Sequence, residues 1–252
     1  MSFFKVIIPN YNSSKFINKC IDSILSQTFK DFDLVIVDDM SQDNSVELIK
    51  EYKDKRIHLV ENKEKRYNGG SRNVGIDYPI KSEYTLFIDN DDWFNSSDCF
   101  QMIYDKIINS NYPDCVSLGY YYYETSMSYV RVLRNTPEEL VKDTNVACWT
   151  KCIKSDLIVH FPENTLFEDI VQHLEQCDVL TTCESIDKGF IVWNRQNMES
   201  CSRKPTKKRK SSEWRQLADI YDLELEHDYC TEEQQRRIKE FLGLFLRGQH
   251  AY

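Results

Sequence analysis

Three carboxylates within four residues, Asp89, Asp91 and Asp92, directly follow the apolar run Tyr84-Thr85-Leu86-Phe87-Ile88. Like charges this close repel and raise each other's pKa unless a cation neutralises them. Oxygen-only ligands at the end of a strand suit Mg²⁺ or Mn²⁺, ions that often bridge to a substrate's phosphates. The same residue types also make an ordinary polar turn before a helix, so the acids gain a chemical meaning only from what stands around them. Two more acidic pairs have a comparable setting. Asp38-Asp39 closes the apolar stretch 33–37, and Glu168-Asp169 stands at the start of a helical pattern from Phe167 to Cys177.

The elements that must carry these residues can be read from hydrophobic periodicity. Residues 3–8 are a strand candidate, stopped by Pro9-Asn10-Tyr11-Asn12. Ser13 or Ser14 can cap a helix in which Phe16, Ile17, Cys20, Ile21, Ile24 and Leu25 fall at three- and four-residue spacing. Residues 33–37 form a second strand, apolar almost throughout, as in the interior of a parallel sheet. A helix through Val46, Leu48, Ile49 and Tyr52 follows, then a strand over 56–60. Gly69-Gly70 lead into a helix through Val74 and Ile76; residues 84–88 are a fourth strand, followed by a helix around 97–109 and a strand around 114–118. Such alternation with short connections predicts an α/β fold: a mostly parallel sheet with helices on both faces. Ligands of these sheets sit at the carboxyl ends of the strands. The clusters at 9–12, 38–39, 68–73 (Asn68 to Asn73) and 89–92 all fall on that edge.

After residue 119 the alternation fades. Tyr120 to Tyr123 are four tyrosines in a row, and a strand there would turn half of them to the core. A strand over 128–133, a helix over 137–143 begun by Pro137, and short strands over 180–184 and 189–193 are expected. Residues 212–247 read as helix, with a Thr231-Glu232-Glu233-Gln234 cap signature.

Composition limits the alternatives. The 252 residues are 41% hydrophobic, enough for a sizeable core, and the net charge of −9 argues against a surface that is basic throughout. The nine cysteines contain no Cys-x-x-Cys pair, which speaks against a zinc site or a disulfide framework. No secretory signal or apolar run near ~18 residues is present, so a cytoplasmic, reducing location is expected.

Five segments in order resemble family 2 glycosyltransferases of the GT-A fold: Val6-Ile7-Ile8-Pro9-Asn10-Tyr11-Asn12, Ser26-Gln27-Thr28-Phe29, Val37-Asp38-Asp39 with Ser41, Gly69-Gly70-Ser71-Arg72-Asn73-Val74-Gly75, and Phe87-Ile88-Asp89-Asn90-Asp91-Asp92. Lys151-Cys152-Ile153, Phe161-Pro162-Glu163, Glu168-Asp169, Trp193-Asn194-Arg195 and Ser200-Cys201-Ser202 extend the resemblance over roughly 3–202. It implies a GT-A domain over 1–202, with a nucleotide-sugar half at 1–119 and an acceptor half at 120–202. A basic loop at 203–211 and a helical extension at 212–252 would follow.

The resemblance also implies roles. A sugar moves from a nucleoside diphosphate, with UDP favoured, to an acceptor hydroxyl on a glycan or glycoconjugate. A divalent cation, Mn²⁺ or Mg²⁺, stabilises the leaving diphosphate. Asp91 and Asp92 are the metal candidates of the DXD motif, and Asp89 is placed on the ribose. The ring of Tyr11 packs on the base, with Pro9 and Asn10 supplying backbone contacts. Asp38 or Asp39 accepts from uracil or ribose, and the other caps a helix. Asn68 and Arg72 belong to the donor site, Arg72 on phosphate or base, while Asn73 fixes a local turn. Asp169, with Glu168 second, is the base of an inverting transfer.

The run Arg203, Lys204, Lys207, Lys208, Arg209 and Lys210 has six basic residues in eight positions. It is compatible with a loop closing over the diphosphate, a polyanionic acceptor such as hydroxymethylated phage DNA, an anionic membrane, or plain solvation. The terminal helices offer a surface for oligomerisation. Two rival functions stand beside the transferase. A sugar-phosphate nucleotidyltransferase would want a Gly-rich phosphate loop after the first strand, where Pro9-Asn10-Tyr11-Asn12 stands. An inactive nucleotide-sugar-binding module would lack the acids at 89–92 or Asp169.

Overall fold

The computed structural model describes residues 1–130, 134–141, 147–163 and 168–197. All of them fall in one compact unit. Its centre is a sheet whose described strands are β1 (Ser2–Asn10), β2 (Phe32–Asp38), β3 (Ile57–Glu61), β4 (Ser82–Phe87), β5 (Trp93–Phe94), β6 (Cys115–Tyr123), β7 (Met127–Val130), β8 (Lys151–Lys154) and β9 (Cys183–Asn194). They lie in the order β3-β2-β1-β4-β8-β6-β9-β5, with β7 on β6.

The first four strands are parallel, as their apolar runs require. Ile7 stands opposite both Val35 and Phe87. Alternate residues divide between two cores. Val6, Ile8, Leu34, Ile36, Leu86 and Ile88 pack with helices α1 (Ile17–Leu25), α2 (Ser45–Glu51) and α4 (Cys99–Asn109). Ile7, Val35, Val37 and Phe87 pack on the other face with α3 (Tyr67–Asp77). Both faces are covered, so these strands are apolar at every position. Gln27, wholly buried, explains the Ser26-Gln27-Thr28-Phe29 segment. Its Nε2 donates to the carbonyls of Ser23 (2.9 Å) and Ser96 (2.7 Å), and its Oε1 accepts from the amide of Phe100 (3.0 Å), tying α1 to α4.

The second half of the sheet is mixed. β8 is antiparallel to β4 and to β6, so β6 runs the same way as β4, and β9 is parallel to β6. The carboxyl ends of β1, β2, β4, β6 and β9 therefore share one edge with the start of β8. Helices α5 (Pro137–Val141) and α6 (Glu168–Val179) pack Leu140 and Cys177 with Cys115 and Ile153.

Several sequence expectations change in detail. Pro9 and Asn10 continue β1 instead of stopping it; they pair with Val37 and Asp38, beyond the last residue paired to β4. Gly69 and Gly70 lie inside α3 instead of preceding it. The two short strands expected at 180–184 and 189–193 are one strand, β9, whose register against β6 shifts around Gly119. The tyrosine run belongs to β6. The four-residue β8 and two-residue β5 carried too little periodicity to be seen. Residues 131–133, 142–143, 167 and 212–247 of the expected elements lie outside the described residues.

Gly75 sets the distance between α3 and β1. A Cβ there would lie 2.5 Å from Cγ2 of Ile7, whose side chain is fully buried. Overpacking costs about 1–3 kcal/mol, while alanine returns about 1 kcal/mol of helix propensity. Gly75→Ala is expected to destabilise the fold by a net of up to ~2 kcal/mol, lowering the urea midpoint at unchanged m-value; a higher midpoint would contradict the close packing.

Candidate active site

At the carboxyl ends of β1 and β2, the acids serve as architecture. Asn10 is buried, and its Nδ2 donates to Oδ1 of Asp38 at 2.7 Å. Asp38 also accepts from the amide of Ser41 (3.0 Å) and its hydroxyl (2.5 Å). Asp39 caps the start of α3. Its Oδ1 accepts from Asn62 Nδ2 (3.0 Å) and the amide of Arg66 (2.8 Å); its Oδ2 accepts from the amide of Tyr67 (2.8 Å) and lies 3.1 Å from Nζ of Lys65. The lone pairs of Asp39 are all taken, so a direct bond to a base would require one of these donors to leave. The carbonyl of Asn10 accepts from the amide of Asp39 at 2.8 Å. Tyr11 is 43% exposed, with Nζ of Lys65 3.0 Å from its ring centroid. Tyr67, 52% exposed, holds a φ of 56°. Left-handed backbone is costly for a bulky residue, and the Asp39 cap on its amide holds it there.

Arg72 joins the halves of the site. It is 3% exposed. One terminal nitrogen donates to Asp89 Oδ1 at 2.7 Å and the other to Glu168 Oε1 at 2.5 Å. Its guanidinium lies 5.2 Å from the ring centroid of Phe161. Arg72, expected at phosphate or base, thus forms a buried bridge from the end of β4 to the start of α6. Gly69 lets α6 come this near: a Cβ there would lie 2.6 Å from the carbonyl of Pro162 and 3.1 Å from Cγ of Glu168. Asn73, expected to fix a local turn, instead grips the backbone of Phe161 through both ends of its amide, at 2.8 Å each.

The bridge separates the two acids of α6. Glu168 is buried and committed to Arg72. Asp169 is only partly buried, and no described residue donates a hydrogen bond to its carboxylate. Its pKa is pushed up to about 7, first by burial and then by the charge of Glu168, against the opposing pull of Arg72. Lys151, buried at the start of β8 with Nζ 3.0 Å from the carbonyl of Ala147, adds a second, weaker opposing pull.

Asp91 and Asp92 differ as well. Asp92 is 1% exposed; one oxygen accepts from the amide of Asn194 at 2.8 Å, while its Oδ2 is buried without a hydrogen-bond partner. Asp91 is partly exposed, and its Oδ2 accepts from Nδ2 of Asn197 at 2.6 Å. Burial, then the neighbouring carboxylates, raises Asp92 well above the usual range and Asp91 to about 6. An orphaned carboxylate oxygen beside a second strained acid is a donor set that fits a hard divalent cation. Among the described residues no group of three or more His, Cys, Asp or Glu is arranged to hold a metal.

Asn194 and Asn197, which position the acids, drew no role from the sequence. Trp193-Asn194-Arg195 stood out only by resemblance, and Asn197 carried no signal. Asn68 lies in the first turn of α3 with an exposed side chain. The basic run at 203–210 and the terminal extension lie outside the described residues. No helix among the described residues is long and apolar enough to cross a membrane.

The family model described as glycosyl transferase family 2 matches residues 5–168. Glycosyltransferase GlyA of Streptococcus pneumoniae is 35% identical over 143 residues, 55% of this chain and 20% of its own length. The UDP-Glc:alpha-D-GlcNAc-diphosphoundecaprenol beta-1,3-glucosyltransferase WfgD of Escherichia coli is 25% identical over 238 residues, 89% of this chain and 88% of that protein. The chain spans 20–40% of the length of the first curated relatives it matches. The crystal structure of S. aureus TarS 1-349 in complex with UDP-GlcNAc superposes with a TM-score of 0.71 at 20% identity, covering 97% of this chain and 71% of that one. The fold is accordingly GT-A. The chain belongs to glycosyl transferase family 2.

Proposed function

We propose that this chain transfers a sugar from a UDP-sugar to an acceptor hydroxyl on a glycan or glycoconjugate, with inversion and with a divalent cation. The observation that carries this reading is the Arg72 bridge, which holds the acids after β4 and the start of α6 at one sheet edge. The donors named for WfgD and for the TarS complex support UDP as the nucleotide.

In this reading the diphosphate lies over the carboxyl ends of β1 and β4. Tyr11, the exposed ring at the β1 end, packs on the base, and Asp38 and Asp39 shape the loops beneath it. Asp91 is the direct metal ligand, because it is the acid open to the edge, and Oδ2 of Asp92 is the second available protein oxygen. Mn²⁺ or Mg²⁺ held there would neutralise charge on the departing diphosphate. Asp89, fixed by Arg72, faces the ribose. The acceptor oxygen attacks the anomeric carbon from the side opposite the diphosphate. Its proton passes to Asp169, and the bond to the diphosphate oxygen breaks, releasing UDP. Glu168 holds Arg72 and takes no proton.

The test is a panel of UDP- and GDP-sugars with Mn²⁺, read by melting temperature and by release of nucleoside diphosphate. Stabilisation and slow UDP release with one UDP-sugar are expected. Tight UDP binding without turnover of any donor would point to a nucleotide-sugar-binding module instead.

A further inference from the structure

Lys65 lies across the β1/β2 end of the sheet edge. Its Nζ is 3.0 Å from the ring centroid of Tyr11 and 6.0 Å from that of Tyr67, both of them exposed tyrosines. It also donates to the carbonyl of Asp39 at 2.9 Å and lies 3.1 Å from Oδ2 of the same residue. One ammonium thus covers a face of the ring on which the base is to pack and engages the acid beside it.

Of the donors around Asp39, Lys65 is the easiest to release. The amides of Arg66 and Tyr67 are fixed by the start of α3. Asn62 is held by the hydroxyl of Ser71 at 3.2 Å through its side chain and by the carbonyl of Asp38 at 2.8 Å through its backbone. Lys65 stands outside any helix or strand, on a flexible four-carbon stem, with its side chain 34% exposed. Its contacts with ring and carboxylate are of the weak, partly solvated kind.

The charge of Lys65 decides what can release it. A base that arrives alone must displace the ammonium with nothing in return. A base that carries a diphosphate offers the ammonium new anionic oxygens, which make stronger, charge-assisted hydrogen bonds. The ends of β1 and β2 are one strand spacing apart, about 4.8 Å, so the exchange is a short swing of one side chain.

We propose that Lys65 is a specificity-determining residue of the donor site, which closes the Tyr11 ring to nucleosides and yields it to nucleoside diphosphates. This rests on the donor reading above. It adds to that reading how the site rejects ligands that bring no diphosphate.

The experiment compares the full chain with Lys65→Met, which keeps the length of the stem and loses the charge, both with Mg²⁺. Uridine and UDP, and guanosine and GDP, are titrated as pairs, the nucleosides by saturation-transfer NMR and the diphosphates by calorimetry. The pair whose diphosphate binds the wild type is the one read. Its nucleoside should bind Lys65→Met about three- to tenfold more tightly than the wild type, or bind the variant alone. Its diphosphate should bind the variant no more tightly, because the cation that meets the phosphates is gone. Any other result overturns the proposal. A nucleoside that gains nothing would show that Lys65 does not guard the ring. Nucleoside and diphosphate both tightening would make it a steric plug without a phosphate partner, and both weakening would make it a structural brace. Failure of the donor reading would show separately, as a wild type that binds neither diphosphate, and this assignment would fall with it.

Discussion

Asp169→Asn is expected to lower transfer by about 10²–10⁴-fold, the usual range for losing a positioned base, while UDP and metal binding persist. The wild type should also show a rising pH dependence. A base works only when deprotonated, and burial with Glu168 beside it brings Asp169 to about 7. The rate should therefore fall tenfold per unit below that value, level off above it, and lose this limb in the variant. Glu168→Gln should behave differently. It disturbs Arg72 and so weakens folding and donor binding together, without erasing the pH limb. A pH-independent wild-type rate through neutrality, or a fully active Asp169→Asn, would remove Asp169 from the mechanism.

Arg72→Ala is expected to destabilise the fold by about 3–5 kcal/mol, the cost of leaving a buried ionic partner uncompensated. Both Asp89 and Glu168 lose their cation in this variant. Arg72→Lys should rescue little. One ammonium lacks the planar fork that reaches two carboxylates on opposite sides. Urea denaturation of the three proteins, with UDP binding measured at low denaturant, checks this. A midpoint for Arg72→Ala close to the wild type would mean that the bridge carries no structural load.

The fold of the first 110 residues was legible because β1, β2 and β4 are covered on both faces. Their continuous apolar runs and intervening amphipathic helices leave one arrangement that buries everything. The acceptor half was not. β8 has four residues, one of them the buried Lys151, and β9 gains its length only through pairing with β6. Site residues followed the same division. The sequence placed Asp38, Asp39, Arg72, Asp89, Asp91 and Asp92 at one edge through strand order, and the structure puts them there. It could not show that Arg72 spends both ends of its guanidinium on Asp89 and Glu168, a pairing across 96 positions to Glu168. It could not show that Asp39 is filled by the backbone of α3, or that Asn194 and Asn197 steady the acids. These are contacts between distant segments, and local pattern does not encode them.

Titration of Mn²⁺ into the wild type and Asp91→Asn, read as UDP release from the preferred UDP-sugar, tests the central assignment most directly. The account predicts saturable metal activation of the wild type, reversed by chelation, and no activation of Asp91→Asn at the same ion concentrations, although that variant stays folded. Equal, metal-activated turnover by both proteins would contradict it.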